Sequence, residues 1–148
     1  APGVKATKTP SLLIESFEGD WQKQWFTYNP KEWGRSTHKV YTDEWKAPTG
    51  ARLAFEVRAD QPNKLAIALD KSAAEVDIKG GKEWQAASLT PSDFLNASKE
   101  PLKDWADIKE LRFSAKESLS EKTSKREVGG KWQGAEPQFR NLRWVVGP

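Results

Sequence analysis

Eight tryptophans are spread through this chain of 148 residues. An indole can fill a core, or it can offer a flat, electron-rich face to a ligand. Trp25, Trp33, Tyr41 and Trp45 lie in or beside irregular segments rich in Lys, Asn and Gly, and these rings are the candidates for ligand contact. The axial C–H face of a pyranose is apolar and slightly electropositive, so it stacks on such a ring much as a cation does. Sugar hydroxyls then need directional partners, which arginine, carboxylate and amide groups supply. Glu56, Arg58, Asp70, Arg112, Asn141 and Arg143 fall at the expected outward positions of their strands. Three arginines among them suit a carboxylated or sulfated sugar. The plainer reading of the same six is a solvated sheet surface.

Other chemistries find little support. Carboxylates abound (Asp43, Glu44, Glu56, Asp70, Asp77), but none stands in a glycosidase motif. His38 is the sole histidine, and no Gly-x-Ser-x-Gly turn accompanies it. A two-histidine metal site is excluded. Gly80-Gly81-Lys82 lacks the spacing of a phosphate loop and reads as a hairpin turn. The absence of Cys removes disulfides, thiolate zinc and a cysteine nucleophile. Basic and acidic side chains number 24 and 21, a net charge of +3, and they are well mixed along the sequence. No concentrated basic stripe marks a nucleic-acid binder. No apolar run approaches the roughly 20 residues that span a bilayer. Neither nucleic acid nor membrane is therefore an expected partner.

The elements that would position these residues are mostly strands. Leu53, Phe55 and Val57 alternate with Ala54, Glu56 and Arg58, the pattern of a half-buried strand. Leu65, Ile67 and Leu69 repeat it after the turn at residues 60–63, which predicts a hairpin. Further strands are expected at residues 12–17, 24–28, 38–45, 75–78, 83–89, 111–115 and 138–146, with a second hairpin about Gly80-Gly81. Residues 90–108 read as a long connection with one or two helical turns. Residues 29–37 and 117–136 read as loops, the latter mobile, framing the site. Trp84, Trp105 and Trp144 are assigned to the core, and Trp21 to one end of it. About eight antiparallel strands without a long amphipathic helix predict an all-β sandwich or jelly roll. Residues 1–10 read as a disordered tail or linker and 11–148 as one module.

Residues 11–18, Ser11-Leu12-Leu13-Ile14-Glu15-Ser16-Phe17-Glu18, and the stretch 83–113 carry a family resemblance. Within the latter, Glu83-Trp84-Gln85-Ala86-Ala87-Ser88-Leu89-Thr90-Pro91-Ser92-Asp93-Phe94 is followed by Leu102-Lys103-Asp104-Trp105-Ala106-Asp107-Ile108. The order resembles the galactose-binding-like β-sandwich, in particular the carbohydrate-binding modules attached to bacterial polysaccharide-degrading enzymes. That resemblance implies a structural calcium in many members, with Glu15 or Glu18 matching a first-strand ligand. Arg140 stands where an acidic last-strand ligand is common, and its charge opposes a cation.

The combined expectation is a secreted or periplasmic, monomeric, non-catalytic module that binds polysaccharide or oligosaccharide and requires no cofactor, the structural calcium being only what the resemblance implies. Ligand contact is expected from Trp25, Trp33, Tyr41, Trp45, Glu56, Arg58, Arg112 and Arg143. The rivals are a protein-interaction or structural sandwich with all its indoles internal, and a small lyase or hydrolase.

Overall fold

The described residues form eleven strands, and Arg52–Arg58, Lys116–Glu121 and Ser124–Gly129 show the alternating burial most clearly. The computed structural model describes residues 11–27 and 33–146. The tail expected at 1–10, and residues 28–32 of the expected second strand and loop, lie outside the described residues. The strands are β1 (Ser11–Glu15), β2 (Phe26–Thr27), β3 (Arg35–Thr37), β4 (Arg52–Arg58), β5 (Asn63–Leu69) and β6 (Ser72–Ile78). They continue with β7 (Gln85–Leu89), β8 (Leu111–Ser114), β9 (Lys116–Glu121), β10 (Ser124–Gly129) and β11 (Gln138–Val145). Every pairing is antiparallel. Among the described residues there are three short 3-10 turns and no α-helix.

A four-stranded sheet, β1-β11-β4-β7, faces a five-stranded one, β2-β3-β8-β5-β6. Leu53, Phe55 and Val57 meet Leu65, Ile67 and Leu69 across the gap, joined by Ile14, Leu111, Phe113, Leu142 and Trp144, each no more than 1% exposed. The antiparallel sandwich read from the alternation is thus the fold. Losing one such ring, as in Phe55→Ala, costs about 3–5 kcal/mol.

Three expected elements are corrected. The stretch 117–136 is largely not a loop: β9 and β10 form a hairpin that lies on the outer face of β5 and β6. Small side chains make this approach feasible, because Leu119 and Val128 pack onto Ala66, Ala68 and Ala73. Arg126 fastens it by donating to the carbonyls of Ala73 (3.0 Å) and Leu95 (2.8 Å). Gly80-Gly81 does not close a hairpin either. The amides of Gly81 and Lys82 donate to the carbonyls of Asp60 and Ala59, which steers the chain from β6 in one sheet to β7 in the other. Residues 38–45 are not a strand. Lys39 and Val40 are both buried while Tyr41 is exposed, and two successive inward side chains demand a turn, here a 3-10 turn at Lys39–Tyr41.

One irregularity matters for the site. The register of β11 against β4 shifts between Arg140 and Arg143, a bulge with Asn141 at a φ of 54°. Phe139 and Leu142 can then both face the core, while Arg140 and Arg143 both face outward.

Candidate ligand-binding cleft and sheet face

At the end of β4 marked by Arg58, the segment after β1 meets the chain around Trp33, Trp84 and the start of β11. Between them lies a cleft of about 560 Å³ lined by Phe17, Trp21, Trp33, Trp84 and Phe139 together with Glu18, Arg35, Glu136, Gln138 and Arg140. This volume falls within the ~300–1,000 Å³ usual for small-molecule sites. Phe17 has a φ of 65°, which a bulky residue seldom adopts. Its ring is fixed there by Trp21 at 5.0 Å, Trp25 at 5.2 Å and Phe139 at 5.6 Å. Its amide donates to a Glu15 carboxylate oxygen at 3.1 Å.

The cleft's rings are half-buried and held by neighbours. Arg35 lies over Trp21, 5.0 Å from the ring centre, and faces Glu136 at 3.8 Å. Trp33 packs edge-on against Trp132 at 5.0 Å. Its Nε1 is buried and has no hydrogen-bond acceptor among the described residues. An unanswered buried donor is costly unless a ligand or water meets it.

Trp84 lies between the cleft and the outer face of the four-stranded sheet. The guanidinium carbons of Arg58 and Arg140 stand 4.5 and 4.3 Å from its ring centre. Pairing places Arg58 opposite Gln138, Glu56 opposite Arg140 and Ala86, and Ala54 opposite Arg143 and Ser88. Glu56 accepts from Arg143 at 2.7 Å, Asn141 at 3.1 Å and Arg140 at 3.3 Å. Burial alone would raise its pKa, but the hydrogen bonds from Arg143, Asn141 and Arg140 and the charge of Arg143 outweigh that and hold it below the usual carboxylate range. A smaller lobe of about 310 Å³ adjoins the cleft through Ala135, Glu136 and Gln138, and brings in Arg58, Asp60 and Lys82.

The expected ligand residues are therefore divided. Trp33 lines the cleft, and Glu56, Arg58 and Arg143 share the adjoining sheet face. Trp25 does not face a ligand: it is 4% exposed, stacks on Phe113, and donates from Nε1 to Glu15 at 2.9 Å. Arg112 belongs to the other sheet, where Glu110, Glu117 and the carbonyl of Asp70 occupy its guanidinium. Asp70 itself accepts from the amides of Lys109 and Glu110. Tyr41 lies near the opposite end of β4, on a second cleft of about 760 Å³ that includes Arg52 and Trp105. Trp45 packs against the core there, with Lys39 Nζ 4.4 Å from its ring centre.

The candidate calcium ligands separate as well. Glu15 is buried, and its oxygens accept from Trp25, Lys39 and the Phe17 amide, while Glu18 is exposed at the cleft. Among the described residues no group of three or more acidic, histidine or cysteine side chains converges.

Trp105 and Trp144 are core residues, at 8% and 1% exposure, but Trp84 is not. Counting back by twos from inward Leu89 puts Gln85 on the core side and Trp84 outside, a signal the sequence already contained. Phe17, Trp21, Arg35, Glu136 and Arg140 are among the other residues of this site that sequence reasoning missed, and Trp132 packs against Trp33.

No protein-family model matches the chain, and comparison with curated proteins and with solved structures finds no match. Among the described residues no helix is long and apolar enough to cross a membrane.

Proposed function

We propose that the protein is a non-catalytic carbohydrate-binding module whose cleft holds part of an oligosaccharide or polysaccharide. One observation carries the reading: five aromatic rings and a set of arginine, carboxylate and amide groups line the same open cleft. Rings that carry no guanidinium supply stacking faces for pyranose C–H groups, Trp84 holds two arginines in place, and the polar set answers the hydroxyls. On this reading the protein is a secreted or periplasmic, galactose-binding-like monomer that keeps a polysaccharide-degrading enzyme near its substrate, and binding requires no metal.

A glycan array with and without chelator tests it. Binding to some glycan that persists in chelator, releases no new reducing ends and is lost in Trp33→Ala supports the proposal. Silence across the array overturns it. A protein-interaction domain is the second reading, favoured by Phe26, 52% exposed on the edge strand β2 away from the cleft. It predicts no glycan binding at all.

A further inference from the structure

We infer that the outer face of the β1-β11-β4-β7 sheet is an anion-binding track continuous with the cleft, and that the polysaccharide it takes carries carboxylate or sulfate groups. This rests on the glycan reading above and narrows it to one ligand class.

The charge is the first ground. The outward positions of these four strands carry Arg52, Arg58, Arg140 and Arg143 against a single carboxylate, Glu56. Four arginines against one carboxylate leave a surplus of three positive charges on this face. Linear sequence hides it, because the arginines come from β4 and from β11, about 80 residues later.

The second ground is how the guanidiniums are held. Arg58 spends its Nε on Gln138 at 2.6 Å, and Arg140 spends its Nε on Glu56 at 3.3 Å. Among the described residues neither arginine's Nη groups have an acceptor. Trp84 fixes both planes by cation–π contact. A planar fork with a free edge, immobilised before binding, is suited to bidentate recognition of carboxylate or sulfate. With two cations over it, this indole holds arginines rather than stacking on a sugar.

Reach is the third. From Arg52 to Arg58 the strand advances roughly 20 Å, so a chain lying along β4 meets positive charge at several successive units. Glu18 and Glu136 in the adjoining cleft can accept sugar hydroxyls, donors that a phosphodiester backbone does not offer. That favours a glycan over a nucleic acid.

The test is titration with polygalacturonate, its carboxyl-reduced counterpart, a heparin-type sulfated glycan and single-stranded DNA. The variants are Arg58→Gln with Arg140→Gln, and, as a charge-matched control, Lys122→Gln with Lys125→Gln on the distant hairpin. Circular dichroism checks that both remain folded. The expected result is binding of the uronate or the sulfated polymer about tenfold or more above the reduced one, a preference the arginine pair abolishes and the lysine pair leaves intact. The two anionic arms tell carboxylate from sulfate. Equal binding of the reduced polymer overturns the anion track and leaves the glycan reading standing. DNA bound as tightly, through the same arginines, overturns the glycan assignment of the track. No binding to any of the polymers, together with a silent array, removes the glycan reading itself.

Discussion

Arg140 joins two surfaces: its guanidinium lies 4.3 Å from the centre of the Trp84 ring while its Nε donates to Glu56 on the neighbouring strand. Trp84 in turn sits beneath Arg58. The aromatic cleft and the charged sheet face therefore share a wall, and a ligand touching one alters the electrostatics of the other.

Trp84→Ala should separate binding from folding. Exposed cation–π contacts contribute about 0.5–1 kcal/mol each, so chemical denaturation should register a loss no larger than about 2 kcal/mol. Glycan affinity should drop about tenfold, because two guanidiniums lose their support. A large stability loss would show that the ring belongs to the core after all.

Glu15→Gln should be far more harmful to the fold. The Lys39 ammonium, 3.2 Å from Glu15 with its side chain 8% exposed, would keep its charge without its partner. Breaking one member of a buried pair costs about 3–5 kcal/mol. Glu15→Gln combined with Lys39→Met should recover much of that loss in urea unfolding, and failure to recover would mean that the pair itself is not the source.

Acid should weaken the fold partly through Glu56. Its folded pKa is depressed, so its contribution is present above the unfolded carboxylate pKa, roughly 4, and is lost as pH falls through the lower folded value. Glu56→Gln should flatten the stability profile below about pH 4. Glu75 acts in the same direction, because the Gly129 amide and Lys64 lower its pKa despite burial. A profile unchanged by Glu56→Gln would show that the arginines do not bind its charge selectively in the folded state.

Gly129→Ala should loosen the β9–β10 hairpin. Gly129 has a φ of 80°, and an added Cβ would collide with the Ala115 carbonyl. Strain of this kind costs on the order of 1–3 kcal/mol. Hydrogen exchange should then rise in residues 116–129 while β4 and β11 stay protected.

Much of this architecture was legible. Leu53, Phe55 and Val57 alternate cleanly because one side of β4 meets the core, and that parity correctly sent Glu56 and Arg58 outward. The hairpin was hidden because its contacts are with alanines: Leu119 and Val128 are its only large buried apolar side chains, so no alternating hydrophobic signal arises. The strand expected at 38–45 was misread because a 3-10 turn carries two buried residues in succession at Lys39 and Val40. Trp25 was misassigned because an irregular segment can still aim a ring inward when Glu15 waits to receive its N–H.

The extra residue at Asn141 also fixes how long the last strand must be. Alternation resumes only after that residue, so trimming one position between Phe139 and Trp144 would exchange inside for outside along the remainder. Leu142 and Trp144 would point to water, and Arg143 would be driven toward the interior. Asn141→Gly, which keeps the positive φ without strain, should be absorbed, but a one-residue change in strand length should not. In this protein the spacing of two arginines and the sealing of the core are a single structural decision.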